Sequence, residues 1–106
     1  MSSQPTVATG LDTAHFQRLL ERSLVERLEI LRDLEPRAVP SVDPVAYQTA
    51  GTHRRVVEQI TAALNRVDAG TYGTCIRCAT PISPARLEAV PHAAACRECQ
   101  NQAEMA

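Results

Sequence analysis

The sequence predicts a mostly α-helical protein, in which an antiparallel helical hairpin precedes a small four-cysteine module and a short C-terminal helix. Three observations predict this fold class. Two long segments carry apolar residues three or four positions apart and contain no proline after their first turn. A connection containing prolines separates them, and all four cysteines lie in two CxxC pairs near the C-terminus. With 106 residues, the chain has room for one compact domain, or for one small module with an arm.

The first predicted helix spans about residues 12–35 and follows a polar segment, 1–11, that we expect to be disordered. Asp12 or Thr13 can cap it, because a side-chain oxygen at this position accepts from a free backbone N–H. The helix is about 35 Å long at 1.5 Å per residue. Its apolar stripe consists of Phe16, Leu20, Leu24, Leu28, Leu31 and Leu34.

Leu19 and Ile30 make this stripe broader than one partner helix would cover. We therefore expect a second covering element. It is either the segment after Cys99, folded back as a short helix, or another copy of the protein. Arg27 falls inside the same arc, where its aliphatic stem can pack while the guanidinium reaches water.

The second predicted helix spans about residues 44–69. Asp43 and Pro44 are typical of an N-cap followed by proline at the first helical position, and Gly70 lies where a C-terminal cap belongs. Its apolar stripe consists of Val56, Val57, Ile60, Ala63, Leu64 and Val67. The connection from the first helix is short, so the two helices are predicted to run antiparallel.

Two residues leave the start of this second helix open. Gly51 and Thr52 allow an alternative in which regular helix begins only near residue 52. His53 lies on the predicted buried face, and we expect it to be a packed histidine.

The four cysteines predict a structural zinc site. They form two CxxC pairs separated by seventeen residues: Cys75, Cys78, Cys96 and Cys99. Zn²⁺ prefers four tetrahedral ligands, and four thiolates leave no position for a catalytic water. The segment between the pairs has too few large apolar residues to fold without such a crosslink. His92 is close enough in sequence to act as a variant ligand, but with four thiols present we expect it outside the ligand set.

Other uses of the cysteines and other functions are less consistent with the sequence. The N-terminus lacks a secretory signal pattern, which argues against a disulfide framework, and a redox CxxC would need a βαβ context. The formal charge is −1, and the eleven basic residues are interleaved with acids. A nucleic-acid-binding finger would need a basic stripe and more aromatic residues.

The segment Gly70-Thr71-Tyr72-Gly73-Thr74 lies directly before Cys75, and Ile82, Arg86-Leu87-Glu88-Ala89 and Pro91 lie between the two CxxC pairs. With these residues, the stretch from about 56 to 100 closely resembles the C4 zinc-finger module of the DksA/TraR family. The resemblance implies a bacterial, cytoplasmic regulator that binds RNA polymerase directly through its secondary channel, without contacting DNA. It implies no catalysis. We expect this regulator to be a monomer and not to contact a membrane.

The hairpin tip departs from the family pattern. The family pattern is Asp, two residues, Asp, one residue, Ala, and the aligned positions here are Asp43, Ala46 and Gln48. The resemblance therefore implies a partner-binding tip at Asp43 with altered activity. Capping the second helix is an equally good reason for this aspartate. Asp33 and Glu35 are further acidic candidates near the tip.

Two more departures from the family pattern affect how far the arm extends and whether a nucleotide regulates the protein. The second arm helix is about three turns, or about 16 Å, shorter than in long-armed family members. The family's nucleotide-responsive members hold guanosine tetraphosphate with basic residues, and the aligned positions here are Gln59, Val90 and Gln100. We therefore expect no dependence on that nucleotide.

Three interpretations remain for the function and the side chains. The alternative to a transcription regulator is a zinc-stabilised protein-interaction module without effect on transcription. Tyr72 is expected to pack against the second helix at the joint with the zinc module. Arg86 and Glu88 are expected on a short helix begun by Ser83 and Pro84, as part of a local charge network.

Overall fold

A computed structural model describes residues 11–105, and within them the predicted fold class is confirmed. The helices are α1 (Thr13–Leu34), α2 (Pro44–Ala69), α3 (Pro84–Ala89) and α4 (Arg97–Met105), with a single 3-10 turn, Glu35–Arg37, after α1. The structure is elongated, with principal extents of 57 × 32 × 21 Å. The predicted disordered segment, 1–11, lies outside the described residues except for Leu11, which packs against the main core.

The helical hairpin formed by α1 and α2, called the arm below, is capped at both starts by aspartate. The Asp12 carboxylate accepts a hydrogen bond from the His15 N–H at 3.1 Å, and Asp43 accepts one from the Ala46 N–H at 3.0 Å. The second helix begins at Pro44, so the alternative start near residue 52 is not adopted. Proline fits there because its missing N–H would have no intrahelical partner anyway.

The arm ends where α2 meets the cysteine module, at Gly70. This residue adopts a left-handed backbone with φ 78°, and its N–H donates to the carbonyls of Arg66 and Val67. Glycine tolerates this conformation because it has no Cβ. The chain can therefore turn sharply from the helix into the first CxxC pair.

Two clusters of buried side chains hold the structure together. The main cluster joins both arm helices to the cysteine module; its large members are Phe16, Leu20, Ile60, Tyr72, Ile82 and Leu87. A smaller cluster near the tip of the arm consists of Leu31, Leu34, Ala46 and Ala50. The arm and the module therefore share one core, while the tip has its own.

Of the two elements expected to cover the broad apolar arc of α1, the C-terminal segment leaves part of that arc uncovered. Leu28 and Ile30 remain 48% and 40% exposed. The last helix, α4, instead lies across a groove from α2, which Gln59 lines from one side and Gln100 from the other. Apolar periodicity alone could not show on which side of the hairpin the last helix would lie.

Arg27 and His53 also differ from their predicted roles. The Arg27 guanidinium donates from Nη1 to Nδ1 of His53 at 3.0 Å, in a partly buried bond between α1 and α2. Neither residue is fully buried. The arginine therefore joins the two arm helices instead of only extending into water, and the histidine is its acceptor.

Within residues 11–105, every helix is too short or too polar to span a bilayer.

Candidate metal centre

The structure brings the four cysteine sulfurs together at the base of the arm. The Sγ atoms of Cys75, Cys78, Cys96 and Cys99 all lie within 4.8 Å of one another. Cys75 and Cys99 are buried, Cys96 is half-buried, and Cys78 is exposed. None of the four is in a disulfide. Four convergent thiols fit the tetrahedral ligand set of a single structural Zn²⁺.

The first CxxC pair lies in a tight turn. The Cys75 N–H donates to the Thr80 carbonyl at 2.9 Å, and the Ala79 N–H donates to the Cys75 carbonyl at 3.0 Å. Ala79 closes this turn with a φ of 65°, a left-handed conformation that is unfavourable for a residue with a Cβ. The turn aims the Arg77 N–H at Cys75 Sγ, 3.4 Å away. Such N–H groups stabilise a ligating thiolate.

The second pair is formed at the start of α4. The Cys99 N–H points at Cys96 Sγ from 3.4 Å, and the Gln100 N–H donates to the Cys96 carbonyl at 2.9 Å. The positive end of a helix dipole favours a thiolate at this position. The two turns are joined directly, because the Ile76 N–H donates to the Ala94 carbonyl at 2.9 Å.

The thiols differ in acidity. Burial raises the pKa of Cys75, but hydrogen bonds from the backbone of Cys96, Cys78 and Arg77 outweigh it and lower that pKa to about 6. A hydrogen bond with the Cys96 side chain, helped by burial, raises the pKa of Cys99 to about 12. The Thr80 hydroxyl, 2.9 Å from Cys78 Sγ, lowers the pKa of Cys78. A metal ion must displace the protons that remain, so its affinity falls at low pH.

Tyr72 joins the cysteine module to the arm. Its side chain is fully buried, its hydroxyl donates to the Pro91 carbonyl at 2.8 Å, and its ring centroid lies 5.9 Å from that of Phe16. Burial raises its pKa to about 12, so the phenol is neutral at physiological pH. The tyrosine contacts α1 as well as the module, which fixes the direction of the arm relative to the cysteines.

Arg86 and Glu88 have separate partners instead of one charge network. The Arg86 Nε–H donates to the Ala95 carbonyl at 3.1 Å, which ties α3 to the segment before the second CxxC pair. Glu88 Oε2 lies 2.8 Å from Nε2 of His15, at the start of α1. Arg86 therefore stabilises the module internally, and Glu88 connects the module to the arm. Sequence analysis missed His15, because no local pattern shows a contact across 73 positions.

The three positions aligned with the family's nucleotide-binding residues do lie together. Gln59, Val90 and Gln100 line one open groove of about 650 Å³ between α2, α3 and α4. The groove also contains three arginines and a histidine that the alignment did not indicate: Arg66, Arg86, Arg97 and His92. The Arg66 Nη2 is buried without a hydrogen-bond partner. Burial lowers the pKa of His92, and the charges of Arg27 and Arg66 lower it further.

The tip of the arm is more apolar than acidic. Val42 and Val45, on either side of Asp43 and Pro44, are 74% and 72% exposed. The position of the family's second acid is Ala46, which is buried. Asp43 itself is half-buried and engaged in capping α2.

Glu35, the other candidate acid near the tip, has a partner on the second helix. Its Oε2 lies 3.0 Å from Nη1 of Arg54. This ion pair is exposed and neutralises much of the charge that the glutamate would bring to the tip.

Comparison with known proteins identifies the module. Residues 70–104 match the model of a family described as the prokaryotic dksA/traR C4-type zinc finger. The C-terminal part of the chain is therefore a zinc finger of the DksA/TraR type. The predicted recognition is thereby confirmed, and so is the expectation of one structural zinc as the cofactor of the four clustered cysteines.

Relatives of this zinc finger protein resemble it beyond the finger. Caulobacter vibrioides has a protein named RNA polymerase-binding transcription factor DksA, 38% identical over 73 residues, which is 68% of this chain and 51% of that protein. A protein of Aquifex aeolicus is 27% identical over 95 residues, or 84% of this chain and 66% of its own. The chain thus spans about half the length of the Caulobacter relatives that it matches.

A solved structure resembles both the arm and the finger. The transcription factor DksA2 from Pseudomonas aeruginosa superimposes with a TM-score of 0.68 at 25% identity, covering 88% of this chain and 83% of that one. The similarity extends over most of the described helices, so it includes the arm that the family model leaves out.

Proposed function

We propose that the protein is a bacterial, cytoplasmic transcription regulator that binds RNA polymerase directly. In this proposal the arm enters the secondary channel of the polymerase, and the protein acts as a monomer without contacting DNA. The observation that carries the proposal is the combined similarity of arm and finger to DksA2 over 88% of the chain. The name of the Caulobacter relative supports the same partner.

The zinc finger has a structural role in this proposal. Cys75, Cys78, Cys96 and Cys99 would ligate one Zn²⁺, whose coordination they complete. A complete ligand set leaves no site for a water or substrate, so we propose no enzymatic activity. Zinc would keep the module folded, and Tyr72 would fix the position of the arm relative to the module.

We propose that Asp43 contacts the partner as well as capping α2. One carboxylate oxygen accepts from the Ala46 N–H, and a carboxylate has acceptor sites left for a second partner. The second acid of the family pattern is replaced by a buried alanine, so the tip presents one carboxylate instead of two. The activity of the tip would therefore be altered.

The reach of the arm would also be reduced. The second helix has 26 residues, which gives about 39 Å at 1.5 Å per residue. Three additional turns in long-armed relatives would add about 16 Å. The tip would then stop short of the depth that such relatives reach, and its effect on the active site would be weaker.

We also propose that guanosine tetraphosphate is not required. The aligned positions Gln59, Val90 and Gln100 supply no charge, and Arg86 is already bonded through Nε to a backbone carbonyl. The remaining arginines of the groove make a direct test necessary. Calorimetric titration of the nucleotide into the protein–polymerase complex should give no heat beyond that of polymerase alone. Additional heat of nucleotide binding that depends on Arg66 would refute the proposal that the nucleotide is not required.

A second candidate is a protein-interaction module that binds its partner without changing transcription. Capping by Asp43 favours it, because this role accounts for the aspartate without any contact to polymerase. The exposed valines beside Asp43 favour this second candidate too, because apolar side chains suit docking on a protein surface better than a polar contact near the polymerase active site.

Binding to polymerase is the first test. Zinc-loaded protein, labelled at its N-terminus so that no cysteine is modified, would be titrated with purified bacterial core polymerase and followed by fluorescence anisotropy. A known secondary-channel-binding protein would serve as competitor. The proposal predicts saturable binding that the competitor abolishes. Absence of binding up to micromolar polymerase would refute it, and binding without competition would place the protein elsewhere on the enzyme.

A further inference from the structure

Gly51 lies in the interior of α2, where the structure gives no internal reason for a glycine. A Cβ added there would meet no atom within 4 Å. Glycine weakens a helix interior relative to alanine, because it loses more backbone freedom on folding. The isolated protein therefore gains nothing from this glycine, and the missing side chain leaves free space on the outer face of the arm.

This space is part of a surface notch. Tyr47, Gly51 and Arg55 are four residues apart and lie on one face of the helix, so the glycine is a gap in a row of large side chains. The notch has a volume of about 420 Å³, and Gln48, Thr52 and Arg54 complete its walls. Tyr47, which is 45% exposed, also lines the notch.

The charge of the notch indicates what would fill it. Two arginines line it, and no carboxylate does among the described residues. Arg54 is paired with Glu35 at 3.0 Å, but the guanidinium of Arg55 donates to the Thr52 hydroxyl at 3.3 Å and has no carboxylate partner within residues 11–105. Arg55 therefore keeps its positive charge beside the gap. A guanidinium next to a phenol favours a carboxylate-bearing partner.

We propose that the notch centred on Gly51 receives an acidic segment of RNA polymerase. This inference rests on the proposed function, since it names a contact that the arm makes with the same partner. The missing side chain at Gly51 lets that segment approach the helix backbone, while Arg55 pairs with its carboxylate. Gly51 and Arg55 then determine binding without belonging to the tip.

Stability and binding should respond in opposite directions. Gly51→Ala should raise the melting temperature of the free protein by about 5 °C, because alanine favours the helix and meets no neighbour. Gly51→Met fills the notch further and should weaken polymerase binding at least about tenfold, a change of about 1.4 kcal/mol. Thr49→Met is the matched control, since Thr49 is exposed on the same helix but does not line the notch.

The charge is tested separately. Arg55→Glu should weaken binding at low salt by more than at high salt, because it removes an attraction and adds a repulsion. Circular dichroism would verify that each variant keeps its helices. If wild type binds and Gly51→Met and Arg55→Glu bind equally well, the notch proposal is overturned while the proposed function stands. If wild type does not bind polymerase, both are overturned.

Discussion

Asp43 combines two roles at the tip of the arm, and two substitutions separate them. The Asp43 carboxylate accepts from the Ala46 N–H at 3.0 Å, immediately before Pro44 at the first helical position. Asp43→Ala removes this cap and should cost about 1 kcal/mol, within a range of about 0.5–2. For a domain of this size, that loss lowers the melting temperature by about 4–8 °C. Asp43→Asn keeps the capping oxygen and loses only the charge interaction with the helix dipole, about 0.3–1 kcal/mol and less in salt.

The assay compares stability and transcription for the same three proteins. Melting would be followed by circular dichroism at 222 nm in moderate salt, and transcription by the lifetime of open complexes formed with purified polymerase. We expect Asp43→Asn to melt closer to wild type than Asp43→Ala does, and to lose most of the effect on open complexes while still binding polymerase. An unchanged effect on open complexes in Asp43→Asn would refute the role of the acid and leave only the cap.

The other predictions concern the metal, the joint and the core. Chelation should remove one zinc per chain and unfold the finger while much of the arm helicity remains. Zinc affinity should fall as the pH is lowered, because the thiols must lose their protons to bind the metal. Tyr72→Phe should cost about 1–2 kcal/mol in chemical denaturation, since the partly buried hydrogen bond to the Pro91 carbonyl is lost. The folded pKa of Tyr72, about 12, lies above its unfolded value near 10, so wild type but not Tyr72→Phe should lose stability from this group as pH rises between them. Leu20→Ala should cost about 2–5 kcal/mol because Leu20 is fully buried, whereas Val25→Ala, at an exposed site of the same helix, should change stability by less than about 0.5.

Local patterns predicted the parts of the fold whose causes are local. Asp12 and Asp43 cap the two arm helices, and Gly70 ends the second, because each needs only its own backbone within four residues. The CxxC spacing likewise forecast four sulfurs around one point. Tyr72 lies at the predicted joint between arm and module, but its ring contact with Phe16 of α1 was not predicted.

Contacts between distant segments were the parts that the sequence did not reveal. Leu28 and Ile30 belong to the apolar arc of α1 by period, yet they stay partly exposed because α4 lies beside α2. The contact of Arg27 with His53 depends on the register of two helices, which apolar spacing fixes only to within a turn. The alignment likewise identified three neutral positions of the groove but not Arg66, which reaches it from another turn of α2.

Photo-crosslinking from the tip of the arm would test the central claim most directly. Val42 is 74% exposed at the tip, so a photoreactive phenylalanine analogue there would leave the fold intact and report what the tip touches. The same analogue in place of Met105, at the end of α4 and far from the tip along the chain, would serve as the control. The account predicts crosslinks from position 42 to polymerase segments that line the secondary channel near the active site, and none to them from position 105. Crosslinks from position 42 only to the outer surface of polymerase would contradict it.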